Sequence, residues 1–150
     1  MRPVHSICRC IAVASFSLVI SCGDLTAPYA LQGTYLLVEE NGRALPADPF
    51  PPDGCCVTLS GYFAFTGTAY LLRTIYQEKG SEFAFFNAEH GSFVRTDNTV
   101  TFTRAGGGGL SVPYRLSPAT VSDDGTTVTV TFGDETADNI RARFQRCASC

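Results

Sequence analysis

The sequence predicts an all-β fold, one antiparallel sheet curled into an up-and-down barrel, with a curled β-sandwich as the alternative. Three observations point there. From residue 34 onward, β-rich runs alternate with turn residues at short, regular intervals. The later runs alternate apolar and polar residues with a period of two. No segment carries a helical period, so there is no crossover for a parallel sheet. Closure is favoured over the sandwich because it removes the edges that Thr- and Phe-rich strands would otherwise expose to aggregation.

The first strand is Thr34 to Glu40. Asn41-Gly42 then supplies the positive-φ pair of a type I′ hairpin turn, with Arg43-Ala44-Leu45 as a short return arm. Pro46, Pro49, Pro51 and Pro52 make the stretch to Gly54 a stiff surface connection, since proline withholds a ladder donor. Strands follow at Cys55 to Ser60, Tyr62 to Thr66, Ala69 to Gln77, Glu82 to Asn87, Ser92 to Arg95, Thr99 to Thr103, Leu110 to Leu116, Thr126 to Phe132 and Ile140 to Arg146. Val100 and Phe102, then Val128, Val130 and Phe132, then Ile140, Ala142 and Phe144 are the cleanest inward sets. Turns are expected at Glu78 to Ser81, Asp97-Asn98, Asp123 to Gly125 and the Gly106 to Gly109 run.

The first 21 residues read differently. Arg2 and Arg9 precede an apolar segment, Ile11 to Ile20, which is too short for a spanning helix and suits a secretory leader. Val19-Ile20-Ser21-Cys22 at its end resembles the lipobox of bacterial lipoproteins. The resemblance implies cleavage before Cys22, acylation of its thiol and new amino terminus, and a membrane anchor in the cell envelope. Gly23, where an inner-membrane retention signal would place Asp, implies the outer membrane, facing the periplasm or the cell surface. Residues 1–21 are thus expected to leave as a signal peptide, 22–32 to form a lipidated tether and 33–150 to fold as one domain. Of the 11 basic residues, nine remain after cleavage against 14 acids, a formal charge of −5 that argues against nucleic acid.

Gly33-Thr34-Tyr35, Asn41-Gly42, Leu45-Pro46, Gly91-Ser92-Phe93 and Arg143-Phe144-Gln145-Arg146 together resemble the small lipocalin-like barrels of bacterial lipoproteins. That resemblance implies a barrel closed at its base by a first-strand ring and a last-strand arginine, here Tyr35 and Arg146. It also implies a small apolar ligand inside. Phe63, Phe65, Tyr70, Phe83, Phe85 and Phe93 are the aromatic candidates to line such a cavity, or else to fill the core.

Four cysteines remain once Cys8 and Cys10 leave with the signal peptide and Cys22 takes lipid: Cys55, Cys56, Cys147 and Cys150. In an exported chain they read as two disulfides. Placing Val57 and Leu59 inward puts Cys56 on the outer face with Cys147, which predicts Cys56–Cys147 and Cys55–Cys150. The swapped long-range pairing competes, and the adjacent pair is strained. A metal or redox role for Cys147-Ala-Ser-Cys150 is disfavoured, because its partner pair is adjacent and no βαβ unit surrounds it.

Catalytic chemistry has thin support. His90, the only histidine outside the leader, reads as a solvated turn residue, and no nucleophile elbow is present. The glycine run lacks the lysine and helix of a phosphate cradle. Asp123-Asp124 and the acidic run from Gly133 to Asn139 lack the spacing of a calcium loop. The expectation is therefore a non-catalytic, lipid-anchored protein without cofactor or metal. It would bind a small apolar ligand or, with a filled core, serve as a structural or partner-binding module for an envelope protein.

Overall fold

The computed structural model describes residues 31–48, 54–108, 115–133 and 139–150, and they form an all-β, closed antiparallel barrel without helices. In chain order the strands are β1 (Gly33–Glu40), β2 (Arg43–Ala44), β3 (Cys56–Thr66), β4 (Ala69–Glu78), β5 (Ala84–Thr96), β6 (Thr99–Gly108), β7 (Arg115–Leu116), β8 (Ala119–Val121), β9 (Thr127–Gly133) and β10 (Ile140–Arg146). Eight of them, β1, β3, β4, β5, β6, β8, β9 and β10, pair in that cyclic order, and β10 returns to β1 to close the ring. The short β2 extends the first hairpin, and β7 pairs with β9. The topology is consistent with a lipocalin-like barrel.

The barrel has two ends. At the base the chain enters β1, the Gly67, Asp97-Asn98 and Asp123 to Gly125 turns reverse direction, and β10 runs out at Arg146. At the mouth lie Asn41-Gly42, the Glu78 to Ser81 turn, the far ends of β6 and β9 and the starts of β3 and β10. Asn41 and Gly42 both adopt positive φ, at 50° and 79°, as the hairpin turn requires.

Several strands run longer than the turn residues suggested. Gly61 does not break β3, Gly91 does not break β5, and Gly106 to Gly108 continue β6 instead of forming a hairpin loop. Gly91 has a packing reason: a Cβ there would sit 2.1 Å from the Thr103 carbonyl and 2.9 Å from the Tyr70 ring. His90 therefore lies within a strand, exposed, with its ring over Gly106. The short β8 was not expected. Of the run Leu110 to Leu116, Arg115–Leu116 form β7 and the rest lies outside the described residues, as does most of the acidic run before Asn139.

The inward sets of the late strands appear as anticipated: Val100, Val128, Val130, Ala142 and Phe144 are essentially inaccessible. The core begins earlier than the expected domain boundary. Leu31 is buried in it, so at least that residue of the expected tether belongs to the fold.

Three β-bulges break the alternation part-way up the wall, at Val38 in β1, Leu59 in β3 and Ala105 in β6. Each adds one residue to its strand and swaps which side chains face inward above it. In β3, Phe63 and Phe65 point in below the bulge, but above it Thr58 and Cys56 do, and Val57 and Leu59 are only half buried.

The cysteine pairing differs from expectation accordingly. The disulfides join Cys55 to Cys56 and Cys147 to Cys150, not Cys56 to Cys147 and Cys55 to Cys150. Matching faces ignored height along the barrel. Cys147 N–H donates to the Thr34 carbonyl at the base, and Thr34 pairs with Ala64. Cys56 lies eight residues further along β3, about 26 Å away at the rise of a strand. A disulfide spans less than about 7 Å between Cα atoms. Both bridges are local, so neither closes the ninety-residue loop that would have constrained the unfolded chain.

Candidate functional site

The lower interior is filled. Phe63, completely buried, lies 4.8 Å from Phe144, 5.2 Å from Phe65, 5.5 Å from Phe102 and 6.2 Å from Tyr70 between ring centroids. Phe65 packs edge-on against Tyr35 and Phe93. These edge and offset arrangements add to what burial alone contributes. Phe63, Phe65, Phe93 and the ring of Tyr70 are thus core, not the lining of a cavity. The other two aromatic candidates lie elsewhere. Phe85 is half-buried at the mouth against Tyr76, and Phe83 beside it is largely exposed.

At the base, Tyr35 is buried and its hydroxyl donates to the Gly125 carbonyl at 2.8 Å. Burial raises its pKa, while the nearby charges of Arg146 and Arg95 oppose the shift. Arg146 is the register partner of Tyr35 and exposed. The Asp124 carboxylate accepts from Ser122 and from the Thr126 amide and hydroxyl, which lowers its pKa. These bonds organise a turn.

The upper interior is polar. The register of β4 on β5 places Leu72 opposite Glu89 and Thr74 opposite Asn87. These four side chains, with Tyr76, Leu116 and Phe132, line a recess with about 20 Å³ of room, enough for one water. Tyr70 reaches up from the aromatic cluster, and its hydroxyl donates to Glu89 Oε1 at 2.6 Å. Arg104 Nε lies 3.7 Å from Glu89 Oε2. Burial and then the bond to Glu89 raise the Tyr70 pKa. Glu89 therefore has the Tyr70 hydroxyl on one oxygen and the Arg104 guanidinium near the other.

A second interior acid is one that strand alternation conceals. Counting inward from Tyr35 and Leu37 selects Glu39, but the Val38 bulge turns Glu39 outward to pair with Arg143 at 2.6 Å. Glu40 is carried inward instead, to 2% exposure opposite Ala142. Its Oε2 has no hydrogen-bond partner, and the neutral Thr58 hydroxyl is its neighbour. Burial pushes the carboxyl up to about 7, with Thr58 drawing it the other way. Thr58 is in turn the register partner of Tyr76 on the recess wall.

Among the described residues no group of three or more His, Cys, Asp or Glu side chains could hold a metal ion, and no helix is long and apolar enough to cross a membrane. Cys22 lies outside the described residues. No protein-family model, curated protein or solved structure matches the chain.

Proposed function

We propose that this chain is a lipid-anchored lipoprotein of the cell envelope, in the outer membrane, whose barrel acts by binding a small molecule at its mouth and not by catalysis. One observation carries the binding reading. The lower half of the interior is packed ring on ring, whereas above it Glu40, Thr58, Thr74, Asn87 and Glu89 share the interior with Leu116, Phe132 and Ile140 beside a recess. Buried polar groups cost stability where burial of apolar ones would add it, so their concentration at one end fits a site better than a scaffold. The apolar side of the recess, Leu72, Leu116 and Phe132, suits a ligand with an apolar body and a polar head.

The anchor fits the same arrangement. Leu31 is buried in the core two residues before β1 enters the base, which supports an anchor joined to the barrel at the end opposite the mouth. A second reading, a docking module for an envelope protein, draws on the apolar side chains exposed on the outer wall: Leu36, Leu71, Phe86 and Val94.

Mass spectrometry of protein extracted gently from membranes tests these readings. Acylation at Cys22 and a co-purifying small molecule are expected, and Cys22→Ala should release the protein from the membrane fraction. Unchanged processing and retention of that variant would overturn the anchor. Stoichiometric recovery of another protein, with no small molecule, would favour the docking module.

A further inference from the structure

We propose that the mouth contains a subsite for a protonated amine, formed by the Glu40 carboxylate with the Thr58 hydroxyl beside the Thr74–Tyr76 wall of the recess. The inference rests on the reading of the barrel as a small-molecule binder and adds the chemistry of the ligand's head. Its basis is the contrast between two interior acids. Glu89 is provided for, with the Tyr70 hydroxyl on one oxygen and Arg104 near the other. Glu40 is more deeply buried, yet Oε2 has no hydrogen-bond partner and the side chain next to it, Thr58, offers a hydroxyl and no charge.

Among the described residues the basic side chains near Glu40 that pair or show their exposure are engaged or face away. Arg43, its register partner on β2, is exposed and donates to the Asp48 carbonyl at 3.5 Å. Arg143 pairs with Glu39 on the outer surface, and Arg141 on the same face of β10 is exposed. Arg73 lies on the outer wall over Phe86, 4.5 Å from its centroid. Arg104 belongs to Glu89.

A buried carboxylate without a counter-charge is among the most costly groups a fold can hold, and an arriving cation turns that cost into an ion pair. An ammonium supplies what is missing: a positive charge and N–H donors for the carboxylate and the threonine oxygen. It is also close in size to the water-sized recess nearby. An anionic head would be repelled by Glu40 and Glu89. A divalent metal would find one carboxylate and hydroxyls, short of its usual oxygen shell. Leu72, Leu116 and Phe132 on the recess wall would meet only the carbon next to the amine, so the rest of a short alkyl body must extend outward from the recess.

The test uses the intact purified protein and three probes of equal length: butylamine, 1-butanol and butyrate. Calorimetric titration or ligand-observed NMR should show butylamine binding about tenfold or more tightly than butanol, as expected for a charge-assisted bond. Butyrate should bind weakest. Glu40→Gln should bring butylamine down to the level of butanol and leave butanol unchanged. In case that variant misfolds, the wild-type Glu40 carboxyl ¹³C resonance gives an independent reading, and it should move to the ionised position when butylamine is added. Equal binding of amine and alcohol, or a Glu40 resonance indifferent to the amine, would overturn the subsite while leaving the barrel a binder. Failure of all three probes to bind would overturn the subsite and count against the binding reading itself.

Discussion

The base and the mouth of this barrel share the same strands, yet they are built on opposite principles. Below the bulges the inward residues are Tyr35, Leu37, Phe63, Phe65, Phe93 and Phe144, almost all under a tenth exposed and stacked ring on ring. Above them the same strands turn Glu40, Thr58, Thr74, Asn87 and Glu89 inward. One half is stabilised by apolar burial and interdigitation. The other gives some of that up to keep polar groups in a confined space. The difference teaches that one-residue insertions at Val38 and Leu59 bring Glu40 and Thr58 inward, while plain alternation along β4 and β5 carries Thr74, Asn87 and Glu89 there.

If that division is right, the largest effect on stability belongs at the base. Phe63→Ala removes the ring that touches four others, and chemical denaturation should show a loss of about 3–5 kcal/mol, the range for deleting a buried aromatic side chain. A loss below about 1 kcal/mol would mean that the plug is loosely packed and the two halves differ less than described.

The mouth should reveal itself through pH. The Glu40 carboxyl holds its proton up to about 7 in the folded protein and releases it near its ordinary value of 4.5 once unfolded. Between those values the folded state binds more protons, so its stability falls as pH rises. The contribution is fully present below about 4.5 and gone above about 7. The difference amounts to roughly 3 kcal/mol at 1.36 kcal/mol per pH unit. Denaturation series at pH 5 and pH 8 should show it, and Glu40→Gln should flatten the curve across this window. An unchanged slope in that variant would place the titrating group elsewhere.

The smallest effect is expected from Glu39, one residue from Glu40 but on the other side of the wall. Its ion pair with Arg143 is half exposed, and Arg143→Ala should cost less than about 1 kcal/mol with strong salt dependence. The contrast between neighbours 39 and 40 is the sharpest local measure of what the bulge does. Comparable costs for removing Arg143 and for ionising Glu40 would erase it.

The legibility of the chain divides along the same line. Alternation in β9 and β10 revealed Val128, Val130, Ile140, Ala142 and Phe144 as inward residues because those strands run without interruption. The Asn41-Gly42 turn was legible because few residue pairs accept two successive positive φ angles. Glu40 and Thr58 were not, because period-two counting fails once a bulge is passed, and neither Val38 nor Leu59 has a composition that announces one. An acid closing an apolar run, Tyr-Leu-Leu-Val-Glu-Glu, was a signal available in principle, but it left two glutamates to choose between.

By itself, then, the sequence determined the class of structure, the turns at Asn41-Gly42, Glu78 to Ser81, Asp97-Asn98 and Asp123 to Gly125, and the apolar faces of the unbroken strands, since these depend on residues a few positions apart. Only the tertiary structure decided which glutamate faces inward, which rings fill space and which cysteines meet. Those outcomes depend on register and on height along the barrel, quantities defined between strands distant in the chain. The cysteines show the reason most plainly: sharing a face is a local property of a strand, but being within bonding distance is a property of the closed barrel.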